Sequence, residues 1–328
     1  MTILDLFSGI GGFSLALKNV YKKEIQHLNS DIDKYANQVY KYNFKNSINY
    51  GSVTDIQSKQ LPKIDIITFG SPCQDFSLAG KRLGLEGERS SLISKAIRLI
   101  RKCKPRFFIW ENVKGTFSSN NGEDFWAILK EFTNIGGYRL EWQLLNTKWF
   151  LPQNRERIYL VGYIGEGCEG QIFPITETNC NFTKKIRNKT RKSTSKQNTH
   201  TRTISSRIHK MGSDDTYIKV NDKVINPLKG ATNYGWHLEQ NIYDKKSMTR
   251  SLKSTEGSGN KPKVIIKDLI RRLTPIECER LQGFPDNWTK YGTKGLISDT
   301  QRYKMCGNAI TVNVAEEIFK RILCLKKE

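Results

Sequence analysis

Asp5-Leu6-Phe7-Ser8-Gly9-Ile10-Gly11-Gly12-Phe13 is the stretch on which the reading of the fold turns. A short apolar run, Ile3 to Phe7, stops at Gly9, Gly11 and Gly12, and Leu15 to Val20 resumes as a helix. Glycine lets a backbone approach a ligand closely, and open α/β sheets bind ligands beyond the C-terminal ends of their strands. The spacing is not the dinucleotide G-x-G-x-x-G, and the Lys-Ser/Thr of a Walker loop is missing, which counts against NAD and ATP. Many α/β proteins also carry such a turn for structural reasons alone.

Outward from that turn, strand and helix signals alternate. Ile25 to Leu28 reads as a strand and Lys34 to Tyr42 as a helix. Ile64 to Phe69 is a β-rich run ending in Gly70-Ser71-Pro72. Leu92, Ile93, Ala96, Ile97 and Ile100 fall at helical spacing. Arg106 to Trp110 is a buried-type strand, Asp124 to Phe132 a helix, and Ile158 to Tyr163 a strand. The alternation predicts an α/β fold: a doubly wound, mostly parallel, Rossmann-like sheet with helices on both faces. After about Gly165 the pattern gives way to a polar stretch with short strand-like pieces, Tyr217–Val220 and Val264–Ile266. This predicts a smaller, mixed second domain with long loops. Order returns at Arg271, with Thr274 as N-cap, Pro275 at the first helical position and Glu277 supporting the start. A final helix is expected from about Val312 to Ile322.

The chain of 328 residues has room for a main domain and a smaller one. None of its 7 cysteines forms a C-x-x-C pair and no histidine cluster accompanies them, so free thiols and no metal site are expected. No run is apolar enough to span a membrane, and the N-terminus enters a strand at once, so neither a membrane anchor nor a signal peptide is expected. The formal net charge of +22 favours a polyanion as partner. Between Glu177 and Asp214 no acidic residue interrupts a run of cations that includes Lys184, Arg187, Arg191, Arg202 and Lys210. A phosphate backbone would be attracted there by counterion release, and a basic surface loop is the plainer alternative.

The chemistry-bearing residues lie at strand ends. Gly70-Ser71-Pro72-Cys73-Gln74 closes a buried strand and opens a polar loop, Asp75 to Ser90. Most cysteines are buried core thiols. The glycine-rich continuation disfavours that for Cys73, which is well placed as a nucleophile. Glu111 ends the Arg106 strand, where an acid beside a hydrophobic wall can hold and donate a proton, or simply cap the next segment. Gln153-Asn154-Arg155-Glu156-Arg157 precedes the Ile158 strand. Alternate residues share a face, so Arg155 and Arg157 are expected to point together at an anion or carbonyl, or to form a surface ladder with Glu156. Asp31 follows the second strand and suits either ribose hydroxyls or a helix N-cap.

In this order the motifs resemble the cytosine-5 DNA methyltransferase family, in the form of a bacterial or phage modification enzyme. Motif I is Asp5 to Gly12, IV is Gly70 to Gln74, VI is Glu111-Asn112-Val113, VIII is Gln153 to Arg157, IX is Arg271 to Phe284, and X is Gly307-Asn308-Ala309. The resemblance covers Ile3 to about Tyr163 and Arg271 to about Ile322, leaving out the variable middle. It implies transfer of a methyl group from S-adenosylmethionine, which leaves as S-adenosylhomocysteine, to carbon 5 of a cytosine flipped out of double-stranded DNA. Cys73 would add to carbon 6. Glu111 would contact the ring at N3 and its amino group, Arg155 would hold the base oxygen, and Arg157 would support the loop. Around the methyl donor, Phe7, Gly9, Ile10, Gly11 and Gly12 would wrap the methionine part and Asp31 the ribose. Ile32, Ser52 and Val53 would meet the adenine, Pro72 and Leu92 line the pocket, and Asn308 and Ala309 close it.

Two features depart from the family pattern. Ile32 stands where an aromatic is common and Ser52 where an acid is common, which suggests Asp55 as a substitute. Trp149-Phe150 stands where an aromatic is often followed by glycine. The implied organisation is a catalytic and donor-binding domain at 1–165, a target-recognition domain at 166–300 that includes motif IX, and a C-terminal return at 301–328. Glu256 to Asn260 resembles a family loop that faces DNA. A cytoplasmic monomer without metal or membrane is expected, and any cognate restriction endonuclease is not expected to be a stable subunit. The rival readings are a transfer-RNA cytosine-5 methyltransferase, against which Pro72-Cys73-Gln74 speaks, and a catalytically silent DNA-binding regulator, which the filled catalytic positions disfavour.

Overall fold

The computed structural model describes residues 1–71, 91–117, 119–164, 171–177, 242–244, 247–253, 262–266 and 269–325. The apolar runs assemble into one seven-stranded sheet of order β3-β2-β1-β4-β5-β8-β6. Its members are β1 (Thr2–Leu6), β2 (Gln26–Ser30), β3 (Ile48–Asn49), β4 (Ile66–Gly70), β5 (Phe107–Val113), β6 (Arg139–Asn146) and β8 (Glu156–Tyr163). Strands β3 to β5 in that row are all parallel. Strand β8 runs antiparallel to β5, and β6 antiparallel to β8. Periodicity does not predict β6, because it is an edge strand with exposed Trp142 and Arg139, so its inward side is only partly apolar.

The strands read as continuous apolar runs because both faces are covered. On one face Ile3, Ile66, Phe107 and Ile109 pack with α1 (Gly12–Val20), α2 (Lys34–Asn43) and the final helix α7 (Val312–Cys324). On the other face Leu4, Leu6, Ile67, Phe69, Phe108 and Trp110 pack with α3 (Ser91–Cys103) and α4 (Glu123–Thr133). The alternation of Ile3 with Leu4 between the two clusters is the period-two geometry of a strand.

Among the described residues the remaining α-helices are α5 (Pro275–Leu281) and α6 (Asp299–Asn308). Helix α5 starts with the predicted capping box: Thr274 Oγ1 accepts from Glu277 N at 3.3 Å, and Glu277 Oε2 accepts from Thr274 N at 2.8 Å. Val264–Ile266 falls in β11 (Lys263–Ile266), which pairs antiparallel with β12 (Leu269–Arg272) and parallel with β9 (Ile242–Asp244). A two-residue strand β7 (Gln153–Asn154) pairs with β10 (Thr249–Arg250). The expected strand Tyr217–Val220, the basic run 178–213 and Glu256–Asn260 lie outside the described residues. Among the described residues no helix is long and apolar enough to cross a membrane, and no cluster of metal-type ligands occurs.

Candidate active site

Strand order reverses between β1 and β4, so the crevice beyond their C-terminal ends is the topological switch point where such sheets bind ligands. The glycine turn lies there, and its glycines have different jobs. A Cβ on Gly11 (φ +84°) would lie 2.7 Å from Phe44 and 3.0 Å from Tyr40, and one on Gly12 would lie 2.5 Å from Ile310 Cγ1. At these two positions packed side chains leave no room for a Cβ. Gly9 (φ +51°) faces open space, with nothing within 4 Å of its built Cβ. Phe7 adopts φ 51° without being glycine, a backbone strain of the kind that collects at functional sites. Ile10 is buried, and its carbonyl accepts from Trp288 Nε1 at 2.9 Å. Gly9→Ala is therefore expected to weaken binding of the methyl donor that the family resemblance implies, while costing only about 1–2 kcal/mol in stability, the strain of a left-handed L-residue. Gly12→Ala should lower the melting temperature much more. Paired titration and melting measurements separate the two, and an unchanged donor affinity in Gly9→Ala would sink this assignment.

Asp33, not Asp31, caps α2: its Oδ1 accepts from Tyr35 N at 2.8 Å and Ala36 N at 3.2 Å. Asp31 instead accepts from Gly9 N at 2.7 Å and from Asp33 N at 2.8 Å. The carboxylate thus ties the end of β2 to the open glycine, and burial pushes its pKa up. Next to it Ile32 is 85% exposed, a bare apolar side chain at the rim of the crevice. The Ser52 and Thr54 hydroxyls share a 2.7 Å hydrogen bond, and Thr54 Oγ1 donates to Asp55 Oδ1 at 2.8 Å, so Ser52 and Asp55 form one small polar cluster. The Val53 side chain is in the core, and Leu92 packs against the same core. Asn308 is exposed at the end of α6, and Ala309 is buried.

Beneath the turn, buried Asp5 accepts from Thr68 Oγ1 at 2.8 Å and Ser14 Oγ at 3.1 Å, and the Ser14 and Tyr40 hydroxyls are 2.6 Å apart. Burial pushes the Asp5 pKa from 3.8 up to about 7. A raised folded-state value means that the stabilisation is complete below about 3.8 and is lost as pH rises through about 7. Asp5→Asn, which cannot ionise, should therefore gain melting temperature relative to wild type between acidic pH and pH above that range. A difference independent of pH would contradict it.

At the neighbouring strand ends, Glu111 and Arg157 meet: Arg157 Nε lies 3.1 Å from Glu111 Oε1, with both side chains largely buried. Glu111 Oε2 lies 3.0 Å from where a Cβ on Gly70 would be, so a larger residue at the end of β4 would press on the carboxylate. Ser71 is the next fixed point. Its Oγ accepts from Trp110 Nε1 and Asn112 Nδ2, both at 3.1 Å. Thus Glu111-Asn112 divides its work: the acid faces the crevice and the amide anchors the chain leading to Pro72-Cys73. Pro72 and Cys73 themselves lie outside the described residues. Sequence reasoning missed Ser71 and Asn112 as anchors, because their contacts span about 40 residues of chain.

Arg155 and Arg157 do not point together. Arg155 falls in the break between β7 and β8, where strand alternation lapses. Its buried guanidinium donates to the carbonyls of Ala309 (2.9 Å), Leu252 (3.3 Å) and Gly307 (3.4 Å) and to Ser251 Oγ (3.1 Å). The surface ladder is also absent from this pair, since Glu156 bonds Lys114 Nζ at 2.9 Å. Phe150 takes φ −117°, ψ −42°, closing the turn after Thr147–Trp149 without needing glycine.

This architecture is that of a Rossmann-like methyltransferase. Over the whole chain it superposes on an Entamoeba histolytica methyltransferase, EhMeth (TM-score 0.67, 18% identity, 100% of this chain and 99% of that one). It also superposes on a putative DNA modification methyltransferase encoded in an E. coli prophage (TM-score 0.62, 20% identity, 100% of both chains). Sequence narrows the class. The C-5 cytosine-specific DNA methylase model matches residues 1–324. The type II methyltransferase M.Bsp6I of Bacillus sp. is 32% identical over 98% of this chain and 100% of its own length. M.HpaII of Haemophilus parainfluenzae is 33% identical over 98% and 89%. The chain belongs to the C-5 cytosine-specific DNA methylase family and is a DNA cytosine-5 methyltransferase.

Proposed function

We propose that the protein methylates a specific cytosine in duplex DNA with S-adenosylmethionine as donor, through a covalent adduct on Cys73. The observation that carries this is the Glu111–Arg157 pair beside Gly70-Ser71, two residues before Cys73. Two residues of chain reach at most about 7 Å, which keeps a nucleophile on Cys73 in range of a base held by Glu111. The crevice fits the donor: Gly9 offers an open backbone, Asp31 is relieved of capping and suits ribose hydroxyls, and exposed Ile32 offers an apolar surface for a purine. Ser52 and Val53, the latter through its backbone, are proposed to extend this donor site, with Leu92 as a further lining residue and Asn308 and Ala309 as its closing edge; Pro72, outside the described residues, is proposed as another contact.

When bound, that donor supplies an electrophilic methyl group. Carbon 5 of cytosine is too weak a nucleophile to take it unaided. The Cys73 thiolate adds to carbon 6, and the π electrons of the 5,6 bond become available at carbon 5 as in an enamine. Glu111 holds N3 and the exocyclic amine in the geometry that accepts this charge. Arg157, fixed by Glu111, takes the place first expected of Arg155 beside the base oxygen. After methylation, transfer of the carbon 5 proton to solvent water and expulsion of the Cys73 thiolate restore the aromatic ring. The base must leave the helix for this, and residues 166–300 are proposed to read the sequence around it. The enzyme is proposed to act as a monomer in a bacterial cytoplasm, and any cognate endonuclease is a separate protein.

The test is transfer of labelled methyl from S-adenosylmethionine to duplex DNA and to transfer RNA, followed by bisulfite sequencing of DNA from expressing cells. Label in DNA, with cytosines at one recurring sequence protected from bisulfite conversion, is expected. Label in transfer RNA alone would overturn the reading.

A further inference from the structure

Arg155 and its neighbour Gln153 sit where three separated parts of the chain converge. Gln153 is fully buried. Its Nε2 donates to Leu281 O at 2.7 Å, at the end of α5, and its Oε1 accepts from Leu252 N at 3.0 Å. Thr249 N donates to Pro152 O at 3.0 Å, which lays segment 249–252 along β7. Arg155, 4% exposed, binds that same segment at Ser251 and Leu252 with Nη1, and reaches Gly307 O and Ala309 O on its other side. The C-terminal segment is braced from behind. Gln282 Nε2 donates to Cys306 O at 2.8 Å, and Thr311 Oγ1 donates to Gln282 Oε1 at 3.1 Å. One rigid, planar cation therefore spans two strips of backbone: 251–252, which continues into the recognition region, and 307–309, which edges the donor crevice.

We propose that Arg155 is a positioning residue that couples DNA engagement by the recognition region to closure of Asn308–Ala309 on the methyl donor. This rests on the reading of Asn308 and Ala309 as donor-site residues. A shift of segment 251–252 when DNA binds changes the geometry of bonds that share the same guanidinium with Gly307 and Ala309. A fork with fixed donor directions transmits such a change, whereas a lysine ammonium, with freely rotating donors on a flexible stem, does not. Coupling of this kind is reciprocal: DNA tightens donor binding by the same factor by which donor tightens DNA binding.

The experiment measures binding of S-adenosylhomocysteine by calorimetry, with and without a duplex carrying the site found by bisulfite sequencing. It uses the full-length wild type, Arg155→Lys and Ser251→Ala. Wild type is expected to bind the probe more tightly with DNA, by roughly 5- to 150-fold, the usual range of such couplings. Arg155→Lys should keep its affinity for the probe alone within about twofold while the DNA-induced factor falls toward one. Ser251→Ala removes one acceptor on the recognition side, leaves the buried arginine in place, and should lower the factor partially. A merely structural role would weaken binding with and without DNA alike and leave the factor intact, and that result overturns the proposal. So does a wild-type factor of one, or an unchanged factor in both variants. Failure of wild type to bind the probe or DNA at all would instead count against the functional reading.

Discussion

Cys73→Ala is expected to reduce methyl transfer to duplex DNA to background, a loss of more than about 10⁴-fold, the scale seen when the nucleophile of a covalent mechanism is removed. On the proposed mechanism, without the adduct at carbon 6 there is no enamine to make carbon 5 reactive. The substitution removes one small group, and Ser71, two residues earlier, keeps its bonds to Trp110 and Asn112. DNA binding in a gel-shift assay should therefore persist. Single-turnover rates with saturating DNA and donor give the comparison, and a rate within tenfold of wild type would remove Cys73 from the mechanism.

The second large effect is on stability. Glu279, with no exposed surface, accepts from Asn287 N at 2.7 Å, Thr289 N at 2.9 Å and Arg302 Nη2 at 3.1 Å, and also from the Thr289 hydroxyl. It pins the turn after α5 to helix α6, which ends at the Gly307-Asn308-Ala309 edge. Glu279→Ala leaves the buried Arg302 cation with only the exposed Asp299 carboxylate, 3.3 Å from its Nη1, and two backbone amides without their acceptor. Breaking a buried pair from one side costs about 3–5 kcal/mol. A lower urea midpoint with that loss is expected, and a change under about 1 kcal/mol would contradict this reading, because such a value is typical of exposed pairs.

Neither Glu279 nor Gln153 stands out in the sequence. Each is a polar residue whose partners are brought to it by folding, and nothing in local spacing separates it from a solvated side chain. The capping box at Thr274 and Glu277 is legible because all of its atoms lie within one turn of helix. The paired carboxylates after β2 are an intermediate case. Spacing allows either Asp31 or Asp33 to cap, and the start of α2 at Lys34 selects Asp33, leaving Asp31 to bind Gly9 N. Strand β6 is invisible to periodicity because an edge strand buries too little of either face to imprint a pattern.

The order of motifs along the chain, the alternation of buried strands with amphipathic helices and the glycine turn after β1 are properties of the sequence, and they specify the mostly parallel α/β class and the family. They depend on local backbone preference and on which side chains leave water, both of which act over a few residues. Which glycine faces open space, which arginine meets Glu111 and which one clasps the backbone of 307–309 required the folded chain. Gly9, Gly11 and Gly12 differ only in having, or lacking, Phe44, Tyr40 and Ile310 across from them. Arg155 and Arg157 differ because the strand breaks at the first and resumes at the second, turning one guanidinium toward Gly307 and Ala309 and the other toward Glu111. Side chains of identical chemistry two residues apart thus acquire different roles from partners that sequence distance conceals and packing supplies.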